Sequence, residues 1–211
     1  MMAWFGIAQP PEEAAPALMR IPLFPLNSVL FPGGVLPLRI FEQRYLDMAA
    51  ACMREARPFG VCLIVAGAEV GEVAETHPVG TLARISDWDM EQLGMLQVGT
   101  VGGQRFRILD KEVGADKLLQ AEVELIADDG PLALPPEFAR LLPLLRRIAE
   151  EVGPTRIPEP HRFDDAEWVG YRISEILPVQ NLAKQKLLEL EDPLSRLAIL
   201  EKFLDQRQLL D

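Results

Sequence analysis

His77 and His161 are the only imidazoles in the 211 residues, and imidazole is the side chain best placed to move a proton or hold a metal near neutral pH. They stand far apart and in no spacing such as His-x-x-x-His that would aim two ligands at one cation. Cys52 and Cys62 are too few for a disulfide framework or a zinc cage. One falls in a predicted helix and the other in a predicted strand, and both read as small buried residues. The paired carboxylates Asp128-Asp129, Glu150-Glu151 and Asp164-Asp165 fall at predicted loop or helix ends, where solvation and helix-end electrostatics account for them. Ser86-Asp87 has no histidine beside it. Gly99 to Gln104, GTVGGQ, is glycine-rich but lacks the lysine that a phosphate-cradling loop requires. The sequence therefore assigns no catalytic, cofactor-binding or metal-ligating residues, and no cofactor is expected.

Binding chemistry has better candidates. Ser86 to Met95 joins two predicted strands and carries Trp88, Met90, Leu93 and Met95 among acids. Methionines and an aromatic on a loop can re-pack against varied apolar partners. The alternative is that these side chains fold back over the strands, and alanine replacement at Trp88 and Met90 separates the two. A second set is Arg84, Arg105 and Arg107. Residues two apart on a strand share a face, so Arg105 and Arg107 project together while Phe106 and Ile108 face the other way. Such a stripe could meet RNA, or pair with the protein's own carboxylates.

The elements that must position these residues change character along the chain. Before Asp128-Asp129-Gly130-Pro131 strand signals dominate: Phe59 to Ala66, Val79 to Ser86, Leu96 to Val101, Gln104 to Leu109 and Leu118 to Ala127. The glycine pair in Val101-Gly102-Gly103-Gln104 reads as a tight hairpin. One helix interrupts this half, from Phe41 to about Arg57, ended by Pro58. After Pro131 the period becomes helical. Helices are expected from Pro136 to about Val152, after an Asp164 or Asp165 cap up to Pro178, and from about Asn181 to Glu191. Asp192 then caps a last helix with Pro193 at its first position. Strands first and helices second indicate α+β with segregated layers.

A net charge of −11 argues against nucleic acid and anionic membrane, since phosphate binding draws on clustered Lys and Arg. Every apolar run is broken long before the roughly 20 residues of a membrane span. The start lacks a basic n-region and carries Pro10, Pro11, Glu12 and Glu13, unlike a secretory signal. Met1 to Met19 is expected as a loosely ordered leader of a cytoplasmic protein, with Trp4 and Phe5 leaving open a tail packed on a partner.

Ile21 to Tyr45, IPLFPLNSVLFPGGVLPLRIFEQRY, carries four prolines that bar a helix and a Gly33-Gly34 turn. It resembles the opening of the amino-terminal, substrate-binding domain of Lon-type ATP-dependent proteases: a Leu-Pro-Leu-Phe-Pro-Leu strand, a Leu-Phe-Pro-Gly turn, a Leu-Pro-Leu strand and a Phe-Glu-x-Arg-Tyr helix start, here Phe41, Glu42, Arg44 and Tyr45. The resemblance continues through Val79 to Ile85, Gly103 to Ile108, and Asp192 to Leu197.

The resemblance implies a PUA-like twisted β-barrel subdomain followed by an α-helical bundle subdomain. The expected division is residues 1–20 as leader, 21–128 β-rich and 129–211 helical. It also implies a stand-alone, non-catalytic module without the family's ATPase and peptidase domains. Such a module would bind polypeptide segments or partner proteins through apolar surface, Trp88, Met90, Leu93 and Met95 being the candidate contacts. The alternatives are a scaffold or self-associating protein, with a homodimer open, and a small-ligand enzyme in the barrel–helix cleft. A deep polar pocket with convergent ionisable groups would favour the enzyme, and an exposed apolar groove the binder.

Overall fold

The computed structural model describes residues 17–92, 94–127 and 130–210. Leu93, most of the expected leader and the expected boundary at Asp128-Asp129 lie outside them. Seven strands come first: β1 Leu18–Leu26, β2 Val35–Ile40, β3 Phe59–Ala66, β4 Glu75–Thr76, β5 Val79–Gln92, β6 Met95–Val113 and β7 Leu119–Leu125. Helix α1, Gln43–Glu55, lies between β2 and β3.

The prolines of β1 show how this sequence tolerates them in a sheet. Leu18 to Leu23 pair with β7, and Leu23 to Leu26 pair in parallel with β3. Pro22 and Pro25 each fall where β1 has a neighbour on one side only, so a missing N–H breaks no second ladder. Because β1 changes partners, the pairings β1–β7–β6–β5–β3–β1 return on themselves. All but β1–β3 are antiparallel.

Gly102 and Gly103, expected in a hairpin, lie inside the single strand β6. The glycine is needed for close approach and not for a turn. A Cβ on Gly102 would stand 2.2 Å from the Phe31 carbonyl oxygen. Without it, the Pro32-Gly33-Gly34 turn lies flat on β6: the Gly33 N–H donates to Gly102 O at 2.7 Å, and the Gly102 N–H to Gly34 O at 2.8 Å. That turn sends the Phe31 ring into the helical half, where it is fully buried with Leu141, Val169 and Leu197. Burying such a ring stabilises by about 2–3 kcal/mol.

The helical half begins with a 3-10 turn, Pro136–Leu141, running into α2, Leu142–Val152. Then come α3 Ala166–Ile176, α4 Asn181–Glu189 and α5 Pro193–Gln206. Asp165 caps α3, accepting from the N–H groups of Glu167 and Trp168, and Asp192 caps α5 through Leu194 and Ser195. Buried arginines join the halves. Arg172 of α3 donates to the Gly33 carbonyl at 2.9 Å and the Pro32 carbonyl at 2.6 Å, and Glu175 lies 2.9 Å from it.

Candidate functional site

Beyond the closed circuit, β5 and β6 run on together as an arm. The β3 pairing with β5 ends at Phe59↔Ala83. From Arg84 onward β5 has β6 on one side and, among the described residues, no strand on the other. On the far side of the arm, β2 pairs with β6 from Val35↔Val101 to Ile40↔Leu96. That outer edge carries Pro37, a residue that blunts an edge against further pairing. The β5 edge has no proline between Arg84 and Gln92.

One face of the arm is core. Leu38, Ile40, Leu96 and Val98 pack on Tyr45, Met48, Ala49 and Cys52 of α1, which recur at the i, i+3, i+4, i+7 spacing of a helix face. Trp88 stands directly opposite Val98 and therefore on this same face, yet it is 61% exposed. Ile85 pairs with Thr100, and the register shifts by a residue before Asp87. In a regular strand, residues three apart face opposite ways; the bulge at Ser86 resets the alternation. Ile85 and Trp88 thus both line a groove of about 260 Å³ with Cys52, Met53, Ala56 and Arg57.

The segment expected as a loop is therefore the end of a β-ribbon. Met90 is 44% exposed, its N–H donating to the Asp89 carboxylate at 2.7 Å. Met95 is half-buried and pairs with Gln92 across the tip, and Leu93 lies outside the described residues. Trp88, Met90 and Met95 thus stand on one arm. The pattern Trp88-Asp89-Met90 alternates apolar and polar residues, which is strand period; the bulge left no readable signal.

Two of the three stripe arginines, Arg105 and Arg107, close on the protein itself, whereas Arg84 is exposed on the β5 edge. Arg105 is buried and donates to the carbonyls of Leu188 and Leu190, at 2.9 and 2.8 Å. Arg196 donates to the Leu187 carbonyl at 3.0 Å and also to Leu190 O. Two cations thus satisfy carbonyls at the end of α4, which have no partners within the helix. Arg107 pairs with Glu191 at 3.1 Å. Arg44 is buried between the Lys117 carbonyl, at 3.0 Å, and Glu42, at 2.9 Å.

A polar cleft of about 500 Å³ lies between the halves, with Gln104, Arg105, Arg162, Glu167 and Tyr171 in its walls. Its groups are engaged in holding the fold. The Tyr171 hydroxyl donates to Glu167 at 3.0 Å, and burial pushes the phenol up to about 12, well away from the range useful for proton transfer at neutral pH. Arg162 lies 3.3 Å from Asp165. His77 faces Glu189 at 3.8 Å. His161 stacks near Phe163 and Trp168. Among the described residues no three His, Cys, Asp or Glu side chains gather as a metal site, and no helix is long and apolar enough to cross a membrane.

Comparison with known proteins places this geometry. The sequence profile of the ATP-dependent protease La (LON) substrate-binding domain matches residues 20–206. The Lon protease of Cytophaga hutchinsonii is 25% identical over 208 residues, 94% of this chain but 25% of that protein. The chain spans about a quarter or less of the length of the first curated relatives it matches. A crystal structure of a Lon N-terminal domain protein from Xanthomonas campestris is 36% identical, with a TM-score of 0.73, covering 87% of this chain and 98% of that one. The N-terminal domain of a Mycobacterium avium complex Lon protease shares the fold, with a TM-score of 0.63 at 20% identity over 86% of this chain and 96% of that one.

Proposed function

Because the chain belongs to the ATP-dependent protease La (LON) substrate-binding domain family, we propose that it recognises polypeptide segments at the free edge of β5, from Arg84 to Met90, with Trp88 as the apolar anchor. The observation that carries this reading is a proline-free strand edge ending beside an exposed tryptophan and a shallow groove. An extended segment added to such an edge gains main-chain hydrogen bonds whatever its sequence, while alternate side chains find the groove. Each such bond contributes about 0.5–1.5 kcal/mol net. Affinity then depends on a few bonds and one aromatic contact, which suits a domain that meets many unfolded chains.

On this reading the protein is non-catalytic, works in the cytoplasm and takes polypeptide rather than nucleic acid. The net charge of −11 and the engagement of Arg105 and Arg107 within the fold support the last point. The same reading takes the closed strand circuit as a PUA-like barrel and residues 129–211 as a helical subdomain packed on it.

The test is an amide chemical-shift titration of the protein with a reduced, alkylated, permanently unfolded polypeptide. Shifts clustered at Arg84 to Met90 and around α1's last turn are expected. Shifts confined to other surfaces would remove the edge from the account. Concentration-dependent shifts at this edge without any added polypeptide would make it a self-association surface.

A further inference from the structure

The two faces of the β5 edge differ in charge. Trp88 and Met90, two residues apart, share the α1 side of the arm. Asp87 pairs with Gly99 and Asp89 with Gln97, the residues on either side of buried Val98, so both acids stand on the outer face. Both are exposed. The Asp87 carboxylate lies across Gly99, which has no side chain to cover it, and accepts from the Ser86 hydroxyl at 2.7 Å. Asp89 accepts from the Met90 N–H at 2.7 Å. These donors are neutral, and among the described residues neither carboxylate forms an ion pair. Two acids thus stand without a counter-charge along an edge whose other face is apolar.

We infer that this edge selects extended segments in which apolar residues alternate with basic ones. The apolar side chains lie by Trp88 and Met90, and the basic ones reach Asp87 and Asp89. This rests on the polypeptide reading of the edge and names the chemistry of the segment taken. A strand added to β5 sends successive side chains to opposite faces, and residues directly opposite each other have Cβ atoms about 4.5–5.5 Å apart. A lysine or arginine stem spans that gap along the sheet and carries its charge to the carboxylate. On the other face an aliphatic residue meets the Trp88 ring and the groove it forms with Ile85, Met53 and Ala56. Arg84, the outer-face residue before the bulge at Ser86, is itself a cation, so basic residues are favoured only at the two positions nearer the tip. An acidic segment is repelled both by Asp87 and Asp89 and by the chain's net charge of −11. Alternation is required because a slip of one residue would set the apolar side chains against the acids.

The test uses short peptides in which valine alternates with polar residues, two successive polar positions being lysine. One control has the same composition with valines and lysines in separate blocks, and another carries glutamate for lysine. The alternating lysine peptide is expected to bind the parent about tenfold more tightly than the block peptide, with amide shifts at Arg84 to Met90. In Asp87→Asn/Asp89→Asn that advantage is expected to fall to about twofold. Equal binding of block and alternating peptides, a glutamate peptide as tight as the lysine one, shifts at another surface, or a preference that survives in the double variant would each overturn the inference. If it fails in this way while a permanently unfolded polypeptide still shifts Arg84 to Met90, polypeptide recognition at the edge stands and only the selectivity is lost. If no polypeptide shifts the edge, both fall.

Discussion

Trp88 lies directly across the β5–β6 ribbon from Val98, yet Val98 is 2% exposed and Trp88 61%. The two share a face, but Val98 packs among the buried residues of α1, whereas Trp88 on the edge strand only lines the groove beside that helix's last turn. Val98→Ala should therefore cost about 2 kcal/mol, the loss of packed methyls over a core helix. Trp88→Ala should stay within about 0.5 kcal/mol of the parent, as surface changes do. Urea unfolding of both variants checks this; a Trp88→Ala cost equal to that of Val98→Ala would make the ring part of the core.

The two glycines of the expected hairpin should behave differently. A Cβ at Gly102 meets the Phe31 carbonyl at 2.2 Å, whereas at Gly103 the nearest atom is 3.5 Å away. Gly102→Ala should push the turn off β6 and destabilise by about 1–3 kcal/mol or more. Gly103→Ala should be neutral or slightly stabilising, since alanine restricts the unfolded chain. Thermal melts of the pair decide it.

Arg105 should matter for stability and not for nucleic acid. Arg105→Met keeps the aliphatic stem but leaves the Leu188 carbonyl without this donor and the Leu190 carbonyl with Arg196 alone of its two. A loss of about 1–3 kcal/mol is expected, with faster amide exchange at the end of α4. Unchanged exchange there would contradict the assigned role.

Alkaline pH should weaken the fold in two steps. Burial pushes the Cys62 thiol up to about 12, and burial does the same for the Tyr171 phenol. Folded-state values above the unfolded ones mean stability is whole below the unfolded pKa and lost as pH rises towards the folded one. The decline should begin near pH 8.5, the ordinary thiol value, and steepen near 10, the ordinary phenol value. Cys62→Ala should shrink the earlier step and leave the part due to Cys52, whose thiol is also raised by burial. A urea midpoint that is flat from pH 8 to 10.5 in the parent would refute this.

Much of the framework was legible because local chemistry decides it. The caps at Asp165 and Asp192, Pro193 in the first turn of α5, and the apolar run of β3 all have single-residue or periodic signals. The β-ribbon was misread because Gly102-Gly103 carries the composition of a turn, while the tip is marked by Gly94 alone, at φ +84°. Glycine serves both a left-handed turn and a close backbone approach, and only the position of Phe31 tells which. The exposed apolar residues of the arm, Trp88 and Met90, could be named, but not their placement on an open edge, since that depends on where β3 ends. The roles of Arg105 and Arg172 across the halves had no signal, since the carbonyls they serve are distant in sequence.

On the proposed function, the β5 edge beside Trp88 takes polypeptide. Titration of a fluorescent, permanently unfolded polypeptide against the parent and Trp88→Ala/Met90→Ala tests it most directly. A Kd at least roughly tenfold weaker is expected for the double variant, about 1.4 kcal/mol, with an unfolding midpoint like the parent's. Equal affinity in the two proteins would contradict it.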